Sequence, residues 1–179
     1  NAKLVVAAGS VLVLLGLSLS LDRVNRMQQK EIIVYQAGRS TGIDFISGSK
    51  AWFLADSALM HDDQAIDFNI SGNRIYSGVQ SVDQITIGDS VTAHVDSSHA
   101  AFRFYTPGFV YFEGKRIALL GSNHQKHKPD KPMDVDVLIL SGKPGLTMEE
   151  IRSEFLFKNL VLDVSLAPWL AGRWKPYCD

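Results

Sequence analysis

From Leu4 to Leu21 the chain reads LVVAAGSVLVLLGLSLSL, without one charged residue, and every acidic residue lies after it. As a helix rising about 1.5 Å per residue, this run spans roughly 27 Å, close to the roughly 30 Å hydrocarbon core of a bilayer. It is therefore predicted to be a transmembrane helix. Gly9, Ser10, Gly16 and Ser18 weaken an isolated helix in water but suit the close packing of one membrane helix on another, so a neighbouring helix is implied. Two readings compete with this one. A secretory signal peptide would use Lys3 as its basic start and Ser18-Leu19-Ser20 as a small-x-small cleavage site. A helix buried in a soluble core is the other, although such a helix is seldom apolar all round.

The stretch from Asp22 to Lys30 is polar and lacks Gly and Pro, which predicts that the helix continues as a juxtamembrane stem. Arg23, Arg26 and Lys30 favour a cytoplasmic C-terminal side, but one helix of an unknown number leaves the sidedness open. Residues 1–30 thus read as membrane helix and stem, and residues 31–179 as one folded domain. A chain of 179 residues, 46% hydrophobic and 21% charged, is not a disordered polymer, and its size suits one domain with an appendage. Lys+Arg 18 against Asp+Glu 19 excludes an overall basic field, so any contact with DNA must be local or belong to sequence outside this chain. The lone Cys178 excludes an internal disulfide and a multi-thiolate zinc site. A first residue Asn1 is what a processed or partial chain would show.

Past Glu31 the pattern becomes short β-type runs bounded by Gly, Ser, Asn and Asp. Ile32–Tyr35, Gly42–Ile46 and Ala51–Ala55 are predicted to form an antiparallel meander, with weaker strands at Phe68–Ile70 and Ile75–Val79. Phe102–Tyr105, Phe109–Phe112 and Arg116–Leu120 are stronger strands, the last two joined by a Glu113-Gly114-Lys115 hairpin turn. Asp134 to Leu140 becomes continuously apolar, as a strand buried on both faces does. Thr147-Met148-Glu149-Glu150 has the spacing of a capping box, with Leu146, Ile151 and Phe155 as the apolar stripe of its helix. Leu160–Val164 then completes a strand–helix–strand crossover that would be parallel and right-handed, which makes the domain α/β. Trp169 to Cys178 is a candidate closing helix that Pro176 would end or kink.

Several of these pieces, in this order, resemble a known family. They are Ile32-Ile33-Val34-Tyr35, the strand through Ile43-Asp44-Phe45, Leu54-Ala55-Asp56-Ser57, the Gly114-Lys115-Arg116 hairpin, Asp134-Val135-Asp136-Val137-Leu138 and Val161-Leu162-Asp163-Val164-Ser165. With Asn25-Arg26-Met27-Gln28-Gln29 before them and Trp174-Lys175-Pro176-Tyr177-Cys178 at the end, the chain is similar to the C-terminal part of ComEC-type competence proteins in their Bacteroidetes-like form. That resemblance implies an inner (cytoplasmic) membrane protein, multi-pass at full length, that passes single-stranded DNA during natural transformation. Its partners would be the rest of its own membrane channel, single-stranded DNA in transit and other competence machinery, with no small-molecule substrate. It also implies a metallo-β-lactamase-like tail of two mixed sheets between helices, whose active members hold metals through a His-x-His-x-Asp-His or His-x-Asp-x-Asp-His cluster.

Those ligands are missing here. The early strand ends at Asp56-Ser57, and the nearby His61-Asp62-Asp63 lacks the further His and the spacing that would converge on two ions. The later stations read Leu119-Leu120-Gly121-Ser122 and Ser141-Gly142, where an Asp and a His pair would stand. His94 and His99, and His124 and His127, lack the further donors of a zinc site. Asp134 and Asp136, with Asp56 and Asp163 at other strand ends, would gather at one rim if they act together, but caps and turns are their commoner use. Lys126, Lys128 and Lys131, with Lys115 and Arg116, are candidate phosphate contacts, and Tyr105, Phe109, Tyr111 and Phe112 candidate stacking faces, against a core-wall reading of the same aromatics. Gly142-Lys143-Pro144-Gly145 lacks the Walker spacing, and no Gly-x-Ser-x-Gly elbow makes Ser57, Ser141 or Ser165 a nucleophile. The expected protein is a degenerate, mixed-sheet metallo-β-lactamase-like α/β domain after one transmembrane helix, with no catalytic, cofactor or metal residues, serving a DNA-uptake channel without hydrolysis of its own. The alternatives are a metal-dependent phosphodiesterase or nuclease of the same fold, and a membrane-anchored envelope protein of unrelated function.

Overall fold

A computed structural model describes residues 2–87, 101–106, 108–122, 124 and 129–174, and the side chains of all of these except 2, 4–8, 105 and 106. Helix α1 (Ala2–Gln28) leads through Gln29 into strand β1 (Lys30–Ala37). Strands β2 (Ser40–Ser47) and β3 (Lys50–Asp56) follow as tight antiparallel neighbours, and β4 (Ser81–Ile87) lies parallel to β3, giving a sheet of order β1-β2-β3-β4. The second sheet has the order β5 (Phe102–Thr106), β6 (Phe109–Phe112), β7 (Lys115–Leu120), β8 (Met133–Leu140), β9 (Phe155–Leu162). Its first pairings are antiparallel and its last two parallel. Each sheet therefore begins as a meander and then adds parallel strands by crossover, so both are mixed and the domain is α/β.

The register explains how the sheets face each other. Phe45 lies directly opposite Trp52 in the first sheet, and Phe102 opposite Phe112 in the second. Trp52 stacks on Phe102 with ring centroids 5.1 Å apart and planes 5° from parallel, and Phe45 meets the edge of Phe112 at 5.5 Å. Ile43, Leu54 and Ile85 from one side, and Ile117, Leu119 and Ile139 from the other, complete this central layer. The alternate residues of each strand point outward, as period-two geometry requires. On the second sheet, Ala118, Leu138 and Leu140 pack under helices α5 (Met148–Glu154) and α6 (Pro168–Trp174). On the first, Tyr35, Phe53 and Ala55 pack under a run of short helical turns. The layers run helix, sheet, sheet, helix.

That helical run corrects the reading of Phe68–Ile70 and Ile75–Val79 as strands. It consists of α2 (Ser57–Met60), α3 (Asp63–Ile66), a π-helical turn at Asp67–Ser71 and α4 (Gly72–Tyr76). Asp56 accepts from Leu59 N at 2.9 Å and Asp62 from Ala65 N at 2.9 Å, so carboxylate caps start the first two helices. Leu59 and Ile70 are buried on the sheet, whereas Phe68, Ile75 and Tyr76 are 88%, 77% and 79% exposed. Residues of high β-propensity suggested strands, but those residues face out. Gly42 permits the close approach, because a Cβ there would lie 2.7 Å from Leu59 Cδ2. Arg74 of α4 then pins the run down, its Nε and Nη2 each donating at 2.8 Å to Asp44, which is fully buried and also accepts from the Tyr35 hydroxyl at 2.8 Å. Burial, with the Asp44 charge beside it, pushes the Tyr35 hydroxyl far above its ordinary value.

Three further differences are local. β4 was hidden by Asp83 and Gln84 within its span. The capping box is present, Thr147 and Glu150 serving each other's backbone, but α5 stops at Glu154. Phe155, predicted as part of its stripe, opens β9, which thus starts five residues ahead of the predicted Leu160. The Glu113-Gly114 turn has φ of 47° and 81°, the left-handed pair that joins twisted strands, as the hairpin reading requires. Of the predicted closing helix, α6 accounts for Trp169–Trp174, and residues 175–179, with Cys178, lie outside the described residues.

The apolar run falls in α1, with the side chains of residues 4–8 outside the described ones. Among the described residues no helix is long and apolar enough to cross a membrane. From Gly9 to Leu21, before the charge of Asp22, the described run reaches only about 20 Å, so the predicted transmembrane helix is not supported by it. The stem is tied to the domain: Arg26 Nη1 donates to Tyr76 O at 2.6 Å, and Gln29 Nε2 lies 2.7 Å from Gly48 O and 2.6 Å from Ser77 O.

Two stability outcomes follow from this packing. Phe45→Ala removes a ring shared by both sheets and is expected to lower unfolding free energy by about 3–5 kcal/mol in urea titrations. Arg74→Met strands the buried Asp44 charge and is expected to cost about 3–5 kcal/mol in the same assay, whereas a loss under 1 kcal/mol would mean that the pair does not hold the helical run.

Candidate functional site

Parallel strands place their carboxyl ends at one rim, where α/β sheets commonly carry their sites. Here β3, β7, β8 and β9 end together. Asp56 closes β3, Gly121-Ser122 follows β7, Ser141-Gly142 follows β8, and Asp163 and Ser165 follow β9. Thr41, near the start of β2, joins them: its backbone N donates to Asp56 Oδ2 at 2.8 Å and its hydroxyl to Asp163 Oδ2 at 2.6 Å. The Ser165 hydroxyl also donates to Asp163 Oδ2 at 2.6 Å and accepts from Gly142 N at 2.8 Å. Ser122 Oγ accepts from Lys143 N at 3.0 Å. Asp163 is 3% exposed, and its Oδ1 has no hydrogen-bond partner among the described residues.

Asp56 and Asp163 are thus brought to one rim, and Asp134 and Asp136 are not. The latter pair stands at the start of β8 rather than at its end, so strand direction separates the four, and Asp56 serves in the commoner way, as a helix cap. There the Asp136 carboxylate accepts from Arg116 N at 2.9 Å and from Lys158 Nζ at 2.7 Å. The Arg116 N–H first, and the Lys158 ammonium next, hold the Asp136 carboxyl at about 2, below its ordinary 3.8. At the same end Glu113 bridges the sheets through Lys30 and through the Ser47 hydroxyl at 2.6 Å, and these two bonds lower its carboxyl.

The other candidates are dispersed. Asp62 caps a helix, and His61 is exposed with Nδ1 2.7 Å from Ser57 O. His124 pairs with the buried Glu154 at 2.8 Å under α5. His94, His99, His127, Lys126 and Lys128 lie outside the described residues, as does the Tyr105 side chain. Phe112 is core wall, Phe109 and Tyr111 are half-buried, and Lys131 is exposed. Among the described residues no three His, Cys, Asp or Glu side chains converge. The far rim offers two carboxylates, both already accepting hydrogen bonds, and hydroxyls rather than imidazoles. This donor set does not fit a two-metal centre, which needs several ligands converging on each ion. Thr41, which ties the rim together, had no signature in sequence, since its partner Asp163 is 122 residues away.

Fold and rim define a layered α/β domain whose strand-end site is tied up by its own hydrogen bonds. The description ComEC C-terminal domain matches residues 32–179, and the chain belongs to that family, one of DNA-uptake competence proteins of the inner membrane. No curated protein and no solved structure gives a match.

The lowered Asp136 value sets a pH dependence. A carboxyl whose folded value lies below its unfolded one contributes stability that is complete above its ordinary 3.8 and is lost as pH falls through about 2. Asp136→Asn is expected to flatten acid unfolding in that window when followed by circular dichroism, and an unchanged acid limb would refute the assignment.

Proposed function

We propose that this chain is the non-catalytic C-terminal domain of an inner-membrane channel for single-stranded DNA in natural transformation, and that its sandwich is a degenerate metallo-β-lactamase-like fold. Membership of the ComEC family supports the setting. Two mixed sheets between helical layers support the fold assignment. The observation that carries the non-catalytic reading is the rim itself, where Thr41 and Ser165 hydrogen-bond to Asp163 at the shared carboxyl ends of the strands. In α1, Val11, Leu12, Leu14 and Leu15 are 57% to 69% exposed, a surface suited to lipid or to neighbouring helices of the same channel. The stem bonds from Arg26 and Gln29 would seat the domain against that membrane part.

One observation favours the rival reading of a metal-dependent phosphodiesterase: the buried, unpartnered Oδ1 of Asp163. The two readings separate in one experiment. Purified chain incubated with single- and double-stranded DNA and manganese, magnesium or zinc is expected to leave the DNA intact. In the organism that carries the gene, deletion of residues 31–179 is expected to abolish transformation, and Asp163→Asn to leave it near wild type. Cleavage that disappears in Asp163→Asn or His61→Ala would establish the enzyme instead.

A further inference from the structure

The α1 end of the second sheet carries a groove on its outer face that none of the site chemistry above uses. It has a volume of about 460 Å³, and its lining includes Phe109, Tyr111, Arg116, Met133, Asp134 and Val135, with no residue of α5 or α6. That size is in the range of pockets that hold small planar ligands. The outward direction follows from register: Phe102 and Phe112 point into the central layer, so Arg103, paired with Tyr111, and Arg116, paired with Tyr111 from the other side, point away from it. One half-buried aromatic ring is therefore flanked, on the same cross-strand row, by a guanidinium group on each side. Strands lie about 4.8 Å apart, so the two arginine Cα atoms are roughly 10 Å from each other, with long side chains to adjust. Arg116 lies 4.0 Å from the Asp136 carboxylate, yet 57% of its side chain is exposed and open to a further anion, and Arg103 is exposed.

We infer that this groove holds a base of single-stranded DNA, its ring against Tyr111 and the apolar floor, with Arg103 and Arg116 on the flanking phosphates. An apolar floor beside one aromatic ring accepts any base by stacking, and cations along the row supply the backbone contacts. An aliphatic segment or acyl chain would fill the floor but give the exposed Arg103 guanidinium no anion, and Arg116 none beyond Asp136. Asp134, on the lining, repels phosphate but accepts from an exocyclic amino group, which favours cytosine or adenine over thymine. Position agrees with the chemistry. The groove opens at the end where β7 and β8 begin, the same end at which Glu113 meets Lys30 and the stem of α1 joins the sandwich. The presence of a strand there rests on the DNA-uptake reading above.

The test uses the full chain in detergent, titrated against dye-labelled single-stranded oligo(dC) and followed by fluorescence anisotropy at several salt concentrations. Tyr111→Ala is expected to weaken binding about tenfold or more, and Tyr111→Phe to retain it, since stacking needs the ring and not the hydroxyl. Arg103→Gln, an exposed change that leaves the core untouched, is expected to lower affinity and to reduce the slope of log affinity against log salt by about 0.7. Circular dichroism confirms that each variant is folded. Undetectable binding by the wild type, equal affinity in Tyr111→Ala and Arg103→Gln, or dependence on these residues only for phosphatidylglycerol vesicles would each overturn the inference. Transformation assays separate the two levels. If deletion of residues 31–179 abolishes uptake while Tyr111→Ala with Arg103→Gln does not, the groove is refuted and the channel reading stands. If the deletion itself has no effect, the channel reading falls.

Discussion

Four aromatic rings set the geometry of the whole domain. Phe45 and Trp52 are neighbours across one ladder, Phe102 and Phe112 across another, and the two pairs interlock between the sheets. Large apolar rings with fixed stacking preferences leave little freedom for one sheet to slide on the other. With the sheets so held, the carboxyl ends of β3, β7, β8 and β9 arrive at a common rim. Only then can Thr41 of the first sheet reach Asp163 after the last strand of the second.

The two ends of the sandwich differ in chemistry as a result. At the far rim, hydroxyls and carboxylates satisfy each other: Asp56 serves Thr41 N and the first helical turn, and Asp163 takes two hydroxyl protons. At the end where α1 attaches, opposite charges pair instead, with Asp136 engaged by Lys158 and by the backbone of Arg116, and Glu113 by Lys30. The fold reaches this arrangement by following one path twice, an antiparallel meander and then a parallel strand, once in each sheet.

Strands that alternate strongly or are wholly apolar were legible in sequence, and so were the Glu113-Gly114 turn and the Thr147 capping box, because each has a local cause. The helical run from Ser57 to Tyr76 was not. Its caps, Asp56 and Asp62, are ordinary loop residues until the chain turns, and its exposed Phe68, Ile75 and Tyr76 imitate strand composition. β4 was illegible for the opposite reason, since its place beside β3 compensates for a polar interior that no propensity favours. At the rim, the pairing of Thr41 with Asp163, and the separation of Asp136 from Asp56, depend on strand direction and could not be read from the sequence.

By itself the sequence determined the uncharged N-terminal run, the α/β character, the absence of a two-metal signature and the likeness to competence proteins, because each resides in residues near one another along the chain. Which carboxylates share an end, which aromatics form the wall between the sheets and which one lies between two arginines on an outer face were decided only by tertiary structure. Those outcomes depend on strand order and register, which are set by contacts between segments as far apart as Thr41 and Asp163 and have no local code.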